Sequence, residues 1–204
     1  MRRLIPVAAL VLATGCITPG PGPDVWEPPR ERRQSNFLIG LVSFEDDDFR
    51  RTDDQVLAAL DYTEPIGLGP LRLEGGIHFS YDESSERLVS GMGERTRADM
   101  LELSAGLLYT LQPEDSRLLP YAGLGASLYF LQMRGLDDQR EEVFRDSDST
   151  AGGYGKIGIL FRTSPGSHVG IEYRRGLGGD VSIDSRDITV DYHSVALVFG
   201  TNFQ

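Results

Sequence analysis

The chain is short of three things, and each shortage removes a class of protein. A single cysteine among 204 residues excludes an internal disulfide. Cations are scarce, 20 Lys and Arg against 31 Asp and Glu; the net charge of -11 argues against nucleic acid as a partner, because phosphate binding needs clustered bases. Long apolar runs are also missing. The longest, at the start of the chain, holds about a dozen residues, where a membrane-spanning helix needs roughly 20. After that start no helical periodicity appears. What is present instead is glycine (24), proline (11) and a repeated two-residue alternation, which together predict an all-β architecture.

The alternation is clearest in the stretch 101–133. Leu101, Leu103, Ala105, Leu107, Tyr109 and Leu111 share one face, with Glu102, Ser104, Gly106, Leu108 and Thr110 on the other. After the turn-like 112–117, Ala122, Leu124, Ala126, Leu128 and Phe130 form an apolar face, and Tyr121, Gly123, Gly125, Ser127 and Tyr129 an uncharged face of small residues and tyrosines. A water-soluble barrel would put charge on one of these faces. Residues 118–133 carry none, so the hairpin is read inside out: aliphatic side chains toward lipid, with glycine, serine and tyrosine filling a narrow interior.

Met1-Arg2-Arg3 and the apolar residues 4–12 have the charged and hydrophobic regions of a secretory signal peptide, assigned to 1–15. Leu12-Ala13-Thr14-Gly15 directly before Cys16 resembles the lipobox of bacterial lipoproteins, although Ala13 stands where that family prefers Leu. The resemblance implies an acylated Cys16 and, with Ile17 rather than Asp following, sorting to the outer membrane. Residues 16–35 are proline-rich with no apolar face, an expected periplasmic tether. Strands are expected at 36–44, 55–64, 71–82, 97–111, 118–133, 150–163, 168–175 and 187–203. The connections alternate between long polar ones (45–54, 83–96, 134–149, 176–186) and short turns (65–70, 112–117, 164–167), the asymmetry of a transmembrane barrel. An apolar parity change between Ile188, Val190, Tyr192 and Val195, Leu197, Phe199 suggests a β-bulge near His193.

Over 36–204 the chain resembles the small eight-stranded outer-membrane β-barrels of the OmpA/OmpX type. Leu119-Pro120-Tyr121-Ala122-Gly123-Leu124-Gly125 and the closing Val195-Ala196-Leu197-Val198-Phe199-Gly200-Thr201-Asn202-Phe203 carry the resemblance. It implies an eight-stranded antiparallel up-and-down transmembrane β-barrel in the bacterial outer membrane, with Phe203, penultimate here, read by the barrel assembly machinery. Lipopolysaccharide and outer-membrane lipids are the expected partners, and a monomer the expected state.

The less apolar face places Asp61, Arg72, Glu74, His78, Glu102, Lys156, Arg162, Glu172 and Arg174 in the interior, with acids and bases equal once His78 is set aside. Buried ions persist only when paired, so a structural salt-bridge plug is the expectation, with neither catalysis nor cofactor. His78 and Ser80, two apart on one face, resemble the His-x-Ser pair of outer-membrane lipid A deacylases, with Asp82 or Glu102 as imaginable orienting groups. That pair faces lipid near the chain end in those enzymes, unlike here. The acidic connections match no calcium-loop spacing, so no metal site is expected. The remaining alternative is a lipoprotein whose soluble, lipocalin-like barrel carries an apolar ligand.

Overall fold

A computed structural model describes residues 33–45, 55–67, 69–84, 95–111, 116–136, 142–183 and 186–203. The signal peptide, Cys16 and most of the tether fall outside the described residues. Eight strands follow one another: β1 (Arg33–Phe44), β2 (Gln55–Pro65), β3 (Leu71–Ser84), β4 (Arg95–Thr110), β5 (Leu118–Leu136), β6 (Glu142–Ser164), β7 (Ser167–Ile183) and β8 (Arg186–Phe203). Each pairs antiparallel with the next, and β1 closes on β8 with Phe37 opposite Phe199. The β2–β3, β4–β5 and β6–β7 turns join the strands at one end of the barrel, the turn end, with both ends of the described chain; the other four connections join them at the opposite end, the loop end.

The outward face is apolar over its central band. On β5, Leu118, Ala122, Leu124, Ala126, Leu128 and Phe130 all point out, and Leu124 is 67% exposed. Twelve residue steps at ~3.3 Å, tilted by ~40°, make a band roughly 30 Å high. That is the height of a bilayer's hydrocarbon core. The other strands continue it with Leu60, Leu73, Ile77, Leu103, Ile157, Ile171 and Leu197. Aromatic rings mark its edges: Tyr62 and Phe203 pack 6.1 Å apart near the turn end, and Phe79, Phe130 and Tyr173 stand nearer the loop end.

Three expectations change. Residues 134–149 and 176–186 are largely strand and not loop: β6 starts at Glu142 and pairs upward with β5 through Ser147↔Gln132 and Arg145↔Arg134, while β7 runs on to Ile183. Their polarity reflects water on the outer wall; here β6 keeps its ladder with β5 and β7 its ladder with β8, while β6 and β7 pair only from Gly153↔Leu177 downward. Second, no bulge occurs at His193. The β7–β8 register runs unbroken from Ser194↔Arg174 to Asp191↔Leu177, and the irregularity falls between Leu177 and Asp180. Ile188, Val190, Tyr192, Ser194, Ala196 and Val198 are all buried and inward, so the strand never changes parity; its apolar face does. Third, small residues and tyrosines fill only part of the interior. Toward the loop end it holds an apolar core that includes Val42, Phe44, Met100, Leu131, Met133, Val181, Ile183 and Val190.

Candidate functional site in the barrel interior

Alternation along each strand turns the polar positions of the central segment inward, where they meet across the lumen. Lys156 on β6 is the first centre. Its Nζ contacts Asp61 Oδ2 on β2 at 2.8 Å, Glu74 Oε2 on β3 at 2.7 Å and Glu172 Oε2 on β7 at 3.0 Å. Asp61 also meets His78 Nε2 at 2.8 Å. The Glu74 Oε2 contact is an ion pair without hydrogen-bond direction, but Glu74 Oε1 accepts from the Tyr154 hydroxyl at 2.8 Å. Tyr121 donates to Glu172 at 2.8 Å.

Arg174 on β7 is the second centre. Its Nη2 pairs with Glu102 Oε1 on β4, and its Nε donates to the Tyr192 hydroxyl at 3.1 Å. Tyr192 in turn donates to Glu102 Oε2, and Ser127 donates to Glu102 Oε1. Nη1 of Arg174 has no hydrogen-bond partner, but the guanidinium lies 3.6 Å over the Tyr154 ring, which joins the two centres. Glycines make room for the rings. A β-carbon at Gly158 would collide with the Tyr121 ring, and one at Gly176 with the Tyr192 ring.

The nine predicted interior charges therefore divide. Asp61, Glu74, His78, Glu102, Lys156, Glu172 and Arg174 form one connected, buried network in which four carboxylates meet two cations. Arg72 and Arg162 point inward nearer the turn end, within electrostatic reach of His168. His168 Nε2 meets Asn36 Oδ1 at 2.7 Å. The expected one-to-one balance is thus a segregation, because the inward positions of different strands fall at different heights. Sequence reading missed the tyrosines' part: Tyr121 was legible as an inward residue but not as the partner of a particular carboxylate, Tyr154 was not singled out, and Tyr192 was placed with the apolar face of its strand.

His78 and Ser80 share the inner face of β3 but bond to different partners. His78 engages Asp61, and Ser80 donates to Gln55 Oε1 at 2.6 Å, with both side chains buried. Among the described residues no group of three or more His, Cys, Asp or Glu is placed to hold a metal ion. Phe203 stands outward on the last rung of β8, opposite Arg33.

The sequence profile of the family described as outer membrane protein beta-barrel domain matches residues 35–203. The fold is similar to OprG, an outer membrane protein of Pseudomonas aeruginosa, with TM-score 0.61 and 12% identity over 86% of this chain and 97% of that one. Neisserial surface protein A aligns with TM-score 0.56 and 13% identity, covering 84% and 95% of the two chains. Ail, the attachment invasion locus protein of Yersinia pestis, aligns with TM-score 0.53 and 14% identity, covering 85% and 98%. At these identities the likeness is one of fold. No curated protein matches the chain in sequence.

Proposed function

Because the chain belongs to the outer membrane protein beta-barrel domain family, we propose that it is a plugged barrel of structural or interaction type, without catalytic activity. The observation that carries this is the bridging of the lumen by ion pairs between strands that are not neighbours: Lys156 of β6 reaches Asp61 of β2, and Arg174 of β7 reaches Glu102 of β4. An eight-stranded barrel is only wide enough for its own side chains, and these fill the path. Planar-bilayer recording of the reconstituted protein is expected to give no stable open-state current; large, sustained currents would overturn the plug. The separate partners of His78 and Ser80 favour this reading over a lipid hydrolase. Lipid A from cells expressing the protein is expected to keep all its acyl chains, and a loss abolished by Ser80→Ala would reverse the assignment.

In this reading the loop end faces the cell exterior and lipopolysaccharide, the barrel is a monomer, and the assembly machinery reads Phe203. An acylated Cys16 starts the tether 16–35 in the periplasm. In a Cys16→Ala background supplied with an ordinary cleavage site, Asp138→Cys should react with an impermeant thiol reagent on intact cells and Ser116→Cys should not. The same lipid-free protein should stay in the membrane pellet after alkaline carbonate extraction, because the apolar band holds it there. A soluble, folded periplasmic product would instead favour the lipocalin-like alternative, which the exposed band opposes.

A further inference from the structure

Above the apolar band the outer wall of β4, β5 and β6 carries three arginines in one cross-strand row. Arg97 is the register partner of Arg134, and Arg134 is the register partner of Arg145. All three point outward. Like charges directly opposite on a sheet repel, and neighbouring strands lie only ~4.8 Å apart. The nearby Asp99 answers part of this repulsion. It accepts from Arg97 Nε at 3.1 Å and stands 3.9 Å from Arg134. Arg134 is further held by Gln132 at 2.9 Å, and Arg97 lies 4.6 Å over the Tyr81 ring. These contacts hold two of the guanidinium groups against the wall. On the outer face the register partner of Arg145 is Arg134, and among the described residues β6 has no rung with β7 above Gly153.

Directly below the row the same wall carries a shallow groove of about 400 Å³. Its lower part is Phe79, Leu101 and Phe130, which belong to the lipid-facing band; its upper part includes Asp99, Gln132 and Ser147. Arg97 is four residues beyond Leu101, ~13 Å along the strand and roughly 10 Å along the membrane normal after tilt. The headgroup layer extends roughly 5–7 Å beyond the hydrocarbon, and a long arginine side chain reaches down into it from that height. An apolar floor continuous with the bilayer, a polar rim, and a row of cations within reach of the headgroups together match one kind of molecule.

We infer that the Arg97–Arg134–Arg145 row binds the phosphate of a lipid headgroup, with an acyl chain of the same lipid against Phe79, Leu101 and Phe130. Guanidinium suits this task, because its planar fork meets phosphate oxygens with paired, charge-assisted hydrogen bonds. The inference rests on the membrane assignment and is independent of whether the lumen conducts.

The test is native mass spectrometry of the full barrel from nanodiscs of phosphatidylcholine doped with a minor fraction of phosphatidic acid. The parent protein is expected to retain phosphatidic acid in preference to phosphatidylcholine. The triple variant Arg97→Gln/Arg134→Gln/Arg145→Gln should lose that preference by roughly tenfold, since each surface cation is worth about fivefold and Asp99 offsets part of it. Arg145→Gln alone, which removes the member farthest from Asp99, should lose about fivefold and serves if the triple variant does not fold; an unheated gel establishes folding. The double variant Arg33→Gln/Arg175→Gln, at arginines that pair with Glu64 and Glu45 elsewhere on the outer wall, should keep the parent's preference. Undiminished retention by the folded triple variant, or an equal loss in the control variant, would overturn the site. Complete displacement by inorganic phosphate would overturn the choice of a lipid as its ligand.

Discussion

β8 passes through two environments without changing the way its side chains alternate. From Ile188 to Tyr192 the inward residues are apolar, and the outward ones, Thr189, Asp191 and His193, are polar. From Val195 to Phe199 the outward residues are apolar, and the inward Ser194 and Ala196 are small, with the apolar Val198 nearer the turn end. β4 and β5 reverse at corresponding places. Asp99 gives way to Leu101 outside while Met100 gives way to Glu102 inside; Gln132 gives way to Phe130 outside while Leu131 gives way to Tyr129 inside. The barrel is a water-soluble fold at its loop end and an inverted one below. A hydrogen-bonded wall serves both media: within the band its backbone groups are satisfied between strands, above it water meets those that β6 and β7 leave unpaired, and the side chains answer to the surroundings.

The comparison breaks most readily at the inverted half's interior. Lys156→Met leaves Asp61, Glu74 and Glu172 buried around an apolar side chain, and removal of one partner of a buried ion pair typically costs about 3–5 kcal/mol. Urea titration of the folded barrel in lipid vesicles should show a loss of that size; an unchanged midpoint would mean that the network contributes nothing to stability. A somewhat smaller effect is expected at the outer wall. Leu124→Arg, in mid-band, should cost about 2–4 kcal/mol, whereas Thr189→Arg, outward above the band, should cost close to nothing in the same titration. Equal penalties at the two sites would erase the boundary.

Two substitutions on β8 sharpen the contrast within a single strand. Val190→Ala removes two methyl groups from a fully buried position and should cost about 2 kcal/mol, the transfer of those groups plus the void they leave. Val195→Ala, facing lipid, should cost less, because acyl chains refill the space. The smallest effect concerns Asp148 in the loop-end part of β6. The backbone N–H groups of Ser182 and Ser149 donate to it, holding its carboxyl below the usual carboxylate range. A depressed value means that the contribution is present above the ordinary carboxylate pKa and fades as pH falls through the folded one. Hydrogen exchange should therefore show weaker protection of the Ser182 amide in Asp148→Asn than in the parent at neutral pH, with the difference vanishing in acid.

The reversal also accounts for what was legible before the fold was known. A reading that expected one apolar parity per strand took Ile188 to Phe199 for a bulged strand, and took the polar 134–149 and 176–186 for loops. Both errors come from treating the solvent as constant along the strand. The Leu118 to Met133 stretch was read as inside out because nearly all of it, up to Phe130, lies within one medium.

By itself the sequence determined the all-β class, the inverted central band and the inward parity of Asp61, Glu74, Glu102, Lys156, Glu172 and Arg174, since a two-residue period assigns faces locally. Which of these charges would meet was decided only when the wall closed. Lys156 is 95 residues from Asp61 and Arg174 is 72 from Glu102. Their contact depends on the height at which each strand enters the shared lumen, and so do the separation of Arg72 and Arg162 toward His168 and the line of Arg97, Arg134 and Arg145 across three strands. Those heights are set by register and stagger summed around the barrel, which no local pattern encodes.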